Sequence, residues 1–170
     1  MCADTLTVVT GRSDTAPAEP LRLRPMDWRR DHEAVIAFQY ETYEGNFAGF
    51  RISDSFVQDF SEQLRRALRS RWEKALVLVD QRNRVYGFIW LTLMSTMVED
   101  WMGYIKNIYV SPELRGRGYA RMMLDEAETW FAAQNVSKIS LDASACNPRA
   151  VELYRTAGFH VARYRMEKTL

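Results

Sequence analysis

Residues 115–120, with the sequence RGRGYA, form the segment of this chain best suited to bind a charged ligand. The segment follows an apolar run typical of a β-strand, residues 104–110, and leads into a run typical of an α-helix, residues 122–133. The first N–H groups of a helix have no intrahelical partner, and the helix dipole adds partial positive charge to them. Glycines at positions 116 and 118 let the backbone approach a ligand without a Cβ in the way. The segment therefore predicts a cradle for a phosphate or diphosphate.

A second informative segment, NPRAVELYRTAGF, spans residues 147–159. Asn147 is a favoured N-cap, Pro148 suits the first helical position, and Gly158 is well placed to end the helix. Together with the strand–turn–helix context, this segment favours a true anion site at residues 115–120 over a basic surface turn. Neither Gly-x-Gly-x-x-Gly nor a Gly-Lys-Ser/Thr ending is present, which excludes a dinucleotide fingerprint and a P-loop.

The hydrophobic periodicity predicts ten elements that position these two segments. Their order is β-α-α-β-β-β-α-β-α-β, which is an α/β arrangement around one sheet and neither doubly wound nor a barrel. The predicted strands are 21–25, 75–79, 85–94, 101–110, 138–143 and 159–166, and the predicted helices are 30–40, 54–74, the run after the cradle to 133, and 147–158. We expect residues 1–19 to be a flexible lead-in and residues 20–170 to form one domain.

Composition narrows the class of protein further. The chain has 170 residues and a formal net charge of +1, so overall charge favours neither nucleic acid nor a membrane surface as a partner. Its two cysteines, Cys2 and Cys146, show neither a disulfide framework nor a metal spacing. No apolar stretch has transmembrane length, and the N-terminus lacks a signal-peptide pattern. We expect a soluble cytoplasmic protein without a metal site.

The chain resembles the GNAT superfamily of acyl-CoA-dependent N-acetyltransferases over roughly residues 21–170. The family's acetyl-CoA signature, Gln/Arg-x-x-Gly-x-Gly/Ala, is met by Arg115, Gly118 and Ala120. A second signature is met by Asn147, Ala150, Leu153, Tyr154, Gly158 and Phe159. The resemblance implies a single domain with a central, mixed, mostly antiparallel sheet flanked by helices. It also implies acetyl-CoA as the donor substrate.

The same resemblance implies which residues hold coenzyme A. The diphosphate would lie on the backbone N–H groups of the cradle, and the strand before it would splay from its neighbour to pair with the pantetheine arm. A backbone N–H near Tyr109–Val110 would polarise the acetyl carbonyl like an oxyanion hole. Asn147 would contact the cofactor arm and cap its helix. The cofactor-binding residues are therefore expected to be Ile108, Tyr109, Val110, Arg115, Gly116, Arg117, Gly118, Tyr119, Ala120 and Asn147.

Acyl transfer to an amine also needs an acid and a base. Tyr154 suits the acid that protonates the departing thiolate, because a phenol has an ordinary pKa of about 10. Its alternative role is a core aromatic of an amphipathic helix.

Asp142 is a candidate base, since some family members that acetylate protein N-termini have a carboxylate at this position. Its alternative role is a strand-end carboxylate bonded to backbone. Glu44 is the rival base, and the Glu99–Asp100 pair is a third option that more often marks a turn.

The aromatic segment around Glu44 has two interpretations. Tyr40, Tyr43, Phe47 and Phe50 interleave with acidic residues, a composition that would attract and desolvate a cationic amine. The same rings could instead anchor a loop to the core. The sequence leaves both interpretations open.

These observations predict an N-acetyltransferase that moves acetyl from acetyl-CoA to a primary amine by direct attack in a ternary complex. The acceptor would be a small molecule or a peptide. The resemblance also implies a possible homodimer, because members of the family often dimerise. An acetyl-cysteine intermediate on Cys146 is set aside in favour of a buried apolar thiol. The alternative function is a non-catalytic acyl-CoA-binding sensor on the same fold, and a nucleic-acid-binding domain leaves the second signature unexplained.

Overall fold

The computed structural model describes residues 20–47, 49–97, 101–166 and 168. The predicted lead-in, residues 1–19, and the Glu99–Asp100 pair lie outside the described residues. In chain order the elements are β1 (Arg22–Pro25), α1 (Trp28–Gln39), a π-helical turn (Tyr40–Glu44), α2 (Asp54–Ala67), β2 (Glu73–Val79), β3 (Val85–Met94), β4 (Met102–Val110), a 3-10 turn (Pro112–Leu114), α3 (Tyr119–Ala133), β5 (Ile139–Leu141) and α4 (Pro148–Thr156).

The five strands form one sheet in the spatial order β1-β2-β3-β4-β5. Strands β1 to β4 pair antiparallel with their sequence neighbours, whereas β4 and β5 pair in parallel. The parallel pair requires a crossover, which α3 supplies. The prediction of a single α/β domain with a mixed, mostly antiparallel sheet is confirmed.

Successive residues of the strands point to opposite faces of the sheet, and each face contributes to its own hydrophobic core. Side chains such as Val77, Phe88 and Tyr109 pack on one face with Val35 of α1 and Leu64 of α2. The opposite face packs against α3, with α4 at its margin, and its core includes Leu76, Leu78, Ile89, Leu91, Ile105, Val110, Met123 and Phe131. The period-two alternation of the strands thus places α1 and α2 on one side of the sheet and the predicted cradle helix on the other.

Local hydrogen bonds fix where the first two helices begin and end. Asp27 caps α1 through a side-chain bond from the Arg30 N–H, and the buried Asp31 accepts both guanidinium nitrogens of Arg24 at 2.7 and 2.8 Å. Ser53 caps α2 in the same manner. Helix α2 ends at Ala67 rather than at the predicted residue 74, because residues 68–72 turn into β2 and the Trp72 carbonyl accepts the Leu93 N–H.

The predicted final strand at residues 159–166 is wrong. The described residues of this stretch form no strand, and residues 160–166 are all exposed. Phe159 stays close to α4, where its N–H donates to the Tyr154 carbonyl. A strand needs a neighbour with free backbone groups, and β5, the adjacent sheet edge, is only three residues long.

Gly103 of β4 sets how closely α3 approaches the sheet. A Cβ at this position would lie 2.6 Å from a ring carbon of the fully buried Phe131. We expect Gly103→Ala to lower the free energy of unfolding by about 1–3 kcal/mol, because the ring must shift in a packed core. Denaturant unfolding measures this change. Gly45→Ala is the matched control, since a Cβ at Gly45 meets nothing within 4 Å and its φ is −77°; an equal loss in both variants would contradict the packing argument.

Candidate functional site

The site begins where β4 and β5 separate. Their parallel pairing covers only Gly103 to Ile105 of β4 and Ile139 to Leu141 of β5. Beyond these residues β4 continues to Val110, while the chain after β5 turns away towards α4. A wedge-shaped opening therefore lies beside the second half of β4. The splayed strand that the family resemblance implied is present.

A β-bulge and the hydrogen-bond pattern decide which backbone groups face this opening. The register between β3 and β4 shifts between Trp90 and Leu91, which leaves Lys106 as an extra residue on β4. The Ser111 N–H donates to the Tyr86 carbonyl at 2.8 Å. Because the direction of the backbone N–H alternates along a strand, the N–H groups of Tyr109 and Asn107 also point to β3. Ile108 and Val110 consequently direct their N–H groups to the opening. The family resemblance implies that an N–H near Tyr109–Val110 polarises the acetyl carbonyl. Of these two residues, Val110 is the one whose N–H points to the opening.

The predicted cradle forms at the end of this strand. Gly116 and Gly118 have φ angles of 77° and 84°, in the left-handed region that glycine adopts without strain. Gly118 is the N-cap of α3, which begins at Tyr119. The described backbone hydrogen bonds include none donated by the N–H groups of residues 116–120 to an acceptor outside the helix. These groups converge at the positive end of a 15-residue helix.

Arg115 has a different role from the one expected of it. Its N–H already donates to the Pro112 carbonyl, and its Nε donates to the Val110 carbonyl at 3.0 Å. Its Nη2 forms an ion pair with Glu41 of the π-helical turn, and the other oxygen of Glu41 accepts the Tyr109 hydroxyl at 2.6 Å. Burial, followed by the hydrogen bond to Glu41, raises the pKa of Tyr109 well above its ordinary value. Arg115 therefore braces the cradle against β4, and its role in binding a cofactor stays a prediction.

Sequence reasoning counted Glu41 among the acidic residues of the aromatic segment but missed its contact with Arg115, because nothing in its local pattern links it to a residue 74 positions away. The two other arginines near the cradle differ in their contacts. Arg117 is exposed, so its guanidinium is accessible to a ligand. Arg121 pairs with Asp125 at 2.7 Å and donates to the Thr156 carbonyl at 3.3 Å, which joins the start of α3 to the end of α4.

The residues before α4 contact the segment that follows the π-helical turn. Asn147 caps α4 as predicted, with its Oδ1 accepting the Ala150 N–H at 3.1 Å. Its Nδ2 donates to Oδ1 of Asn46, and the Ser144 hydroxyl donates to the Asn46 carbonyl. Contact between Asn147 and a cofactor arm stays a prediction. Cys146 is exposed in this turn, so the prediction of a buried thiol is wrong.

Tyr154 lies on α4, against the same core that supports the cradle. Its ring packs edge-on against Phe159 with centroids 6.0 Å apart. Burial is the sole cause that raises the pKa of Tyr154 to about 12. The phenol is therefore neutral throughout the physiological range, which a proton donor requires. Its role as an acid stays a prediction.

The two candidate bases have different surroundings. Asp142 follows β5 directly and is exposed, and its Oδ2 accepts the Tyr104 hydroxyl at 2.9 Å. Burial and this hydrogen bond raise the pKa of Tyr104 to about 12. Glu44 instead uses its Oε1 to accept the Ile52 N–H at 2.9 Å, which pins the loop between the π-helical turn and α2.

A cavity of about 220 Å³ lies beside the bulge, on the face covered by α1 and α2. Its walls are mainly aromatic and its charged residues have both signs; they are Tyr43, Phe56, Asp59, Phe60, Gln63, Trp90, Lys106 and Asn107. Phe47 and Phe50 surround Tyr43 with centroids 5.9 and 6.3 Å from it, whereas Tyr40 is 45% exposed. The aromatic segment thus both lines a pocket and anchors its loop.

The described residues include no group of three or more His, Cys, Asp or Glu side chains that could hold a metal ion. Every helix in that part of the chain is too short or too polar to cross a bilayer.

Comparison with known proteins gives matches in sequence and in structure. Residues 38–159 match the model of the Acetyltransferase (GNAT) family. The spermidine N(1)-acetyltransferase of Vibrio cholerae serotype O1 is 40% identical over 53 residues, and this match spans 31% of either protein.

Two solved structures resemble the fold over most of its length. A mutant form of the BH1408 protein of Bacillus halodurans superposes with a TM-score of 0.75 at 22% identity, covering 88% of this chain and 99% of that one. A protein of Clostridium acetobutylicum, described as a predicted acetyltransferase and solved with acetyl-CoA, gives 0.73 at 19% identity, covering 88% and 96%. Because the family model matches more than half of the sequence and the fold agrees, this chain belongs to the GNAT acetyltransferase family.

Proposed function

We propose that this protein transfers the acetyl group of acetyl-CoA to a primary amine by direct attack in a ternary complex. The observation that carries the proposal is the junction of two features: the free backbone edge of β4 and the unpaired N–H groups of residues 116–120. Between them they offer hydrogen bonds to an extended amide-containing arm and to a diphosphate. The cytoplasmic location expected from the sequence remains part of the proposal.

The donor would bind along this junction. Its diphosphate lies on the N–H groups of Gly116, Arg117, Gly118, Tyr119 and Ala120, and its pantetheine arm pairs with the backbone of Ile108 and Val110. The Val110 N–H then donates to the thioester oxygen, where negative charge develops during attack. Tyr109 and Arg115 hold this part of β4 in place through Glu41.

Tyr154 would protonate the departing thiolate. It lies on the same side of the sheet as the cradle, and its raised pKa keeps the hydroxyl protonated. Because the protonated hydroxyl of Tyr154 can give its proton to the departing sulfur, no charged thiolate has to be buried, which would be costly.

Asp142 is the preferred base. Its carboxylate is exposed to solvent and accepts the hydroxyl of the half-buried Tyr104 at 2.9 Å. A proton that the amine gives to this hydroxyl would pass on to Asp142. Glu44 is less suited, because its hydrogen-bond partner is the backbone N–H of Ile52, which cannot pass on a proton as a hydroxyl can.

The acceptor would be a small primary amine, because the cavity is partly enclosed by aromatic side chains. A polyamine is one member of this class, and the partial sequence match to a spermidine acetyltransferase makes it a sensible first candidate. Asp59 supplies negative charge that would attract a cationic chain to the cavity.

Gly118→Ala tests the cradle. An added Cβ at a φ of 84° strains the helix start and reorients the N–H groups, so we expect the Kd for CoA to rise about 10–100-fold, since a hydrogen bond to a charged group contributes about 1.5–3 kcal/mol. Isothermal calorimetry measures the Kd. Gly49→Ala is the matched control, because its φ is 77° and a Cβ there also meets nothing within 4 Å. Equal CoA affinities in the two variants would contradict the proposed cradle.

A panel of primary amines, assayed for CoA release from acetyl-CoA, tests the function itself. With any amine that reacts, we expect Tyr154→Phe to lower kcat about 100-fold or more while the Kd for CoA stays unchanged. Because the pKa of Tyr154 is about 12, wild-type turnover should show no loss from its ionisation below about pH 11. An unchanged kcat in Tyr154→Phe would show that Tyr154 is not the acid that protonates the thiolate. Absence of turnover with every amine, despite CoA binding, would favour a sensor.

The base is tested by Asp142→Asn. We expect kcat to fall about 100-fold with little change in the Kd for CoA, because the proton of the amine loses its final acceptor. Tyr104→Phe should reproduce part of the loss, since it breaks the route to Asp142. Steady-state kinetics with a saturating amine measures both. If Glu44→Gln abolishes turnover while Asp142→Asn does not, the base is Glu44.

A further inference from the structure

A chain of buried amides links α1 to the bulge of β4. The Gln39 side chain donates from Nε2 to the Val35 carbonyl at 2.7 Å. Asn107, next to the bulge, donates from Nδ2 to Gln39 Oε1 at 2.8 Å. Gln39 and Asn107 are 1% and 7% exposed, so the chain lies inside the protein.

The chain fixes the orientation of both amides. The Val35 carbonyl can only accept, so Gln39 must present its nitrogen to it and its oxygen to Asn107. Asn107 must then present its nitrogen to Gln39. Its Oδ1 is left facing elsewhere, and it is a buried side-chain atom without a hydrogen-bond partner.

The neighbouring phenol does not satisfy this oxygen. Asn107 lies beside Tyr43, and its hydrogen bond to that side chain acts to lower the Tyr43 pKa, against the larger raising effect of burial. The described hydrogen bonds include none from the Tyr43 hydroxyl to Oδ1 of Asn107. An unpaired buried acceptor costs about 1–3 kcal/mol, which a donor entering from the cavity would offset.

We propose that Oδ1 of Asn107 accepts an N–H of the acceptor's primary amine and holds that amine beside the thioester. Asn107 lines the cavity of about 220 Å³ described above. The next residue, Ile108, directs its backbone to the opening where the donor arm would lie. This inference rests on the proposed function and specifies how that site selects its acceptor.

The charges around the cavity favour a protonated amine as the entering species. Lys106 is already neutralised, since its Nζ lies 3.6 Å from Glu73 and 3.8 Å from the centre of the Trp90 ring. Asp59 forms no ion pair with any described residue within 4.0 Å and stands among aromatic rings. The aliphatic part of an amine would pack against the wall formed by Phe60 and Trp90, whose rings contact each other edge to face with centroids 5.7 Å apart.

Two cations of equal charge distinguish hydrogen bonding from simple attraction. n-Butylammonium carries N–H donors, whereas n-butyltrimethylammonium carries none. Calorimetric titration into protein saturated with CoA, where no acetyl transfer can occur, gives a Kd for each. We expect the wild type to bind n-butylammonium at least about tenfold more tightly, and Asn107→Leu, of similar shape, to lose this preference while keeping the Kd for CoA.

Gln63→Leu is the matched control, because it removes another side-chain amide from the cavity wall, leaves Asn107 and Gln39 intact, and should retain the preference for n-butylammonium. The inference is overturned if the wild type binds both cations equally, if Asn107→Leu keeps the preference, or if Gln63→Leu loses it as Asn107→Leu does. Failure of the wild type to bind CoA would instead refute the proposed function. The two failures are therefore separable.

Discussion

The proposed site depends on one limitation of strand pairing: the three-residue strand β5 can form backbone hydrogen bonds with only the first part of β4. After Ile105 the two strands part, and the backbone groups of Ile108 and Val110 are left facing a wedge rather than a neighbour. Unpaired strand edges are normally covered or blunted, because they invite other strands. Here the edge ends at a helix start that also lacks partners, so both features favour one extended ligand with amide groups and a diphosphate.

Both signature segments were readable from the sequence because their chemistry is local. Glycines that need positive φ, an Asn–Pro helix start and a glycine stop act within a few residues, and each is present as predicted. The order of helices and strands along the chain followed from the hydrophobic periodicity of each segment. The wrong final strand, residues 159–166, had a suitable pattern but only a three-residue neighbour, and pattern alone says nothing about the length of a neighbour.

The supporting residues of the site could not be found in this way. Glu41 and Arg115 are 74 positions apart, and Gln39 and Asn107 are 68 apart, so their contacts arise only from tertiary packing. A glutamine on an amphipathic helix and an asparagine in a strand carry no functional signal by themselves. Asn107 becomes informative only when its burial, its fixed orientation and its unpaired oxygen are seen together.

The π-helical turn after α1 has a consequence for how the molecule can change. Within five residues it sends Glu41 towards the brace of the cradle and Tyr43 to the wall of the cavity. Inserting or deleting a residue before Glu41 would rotate both side chains about the helix axis and displace them together. In the proposed function, acceptor choice and donor affinity would therefore change together with the length of this turn, whereas exchanging a single side chain would change one of them alone.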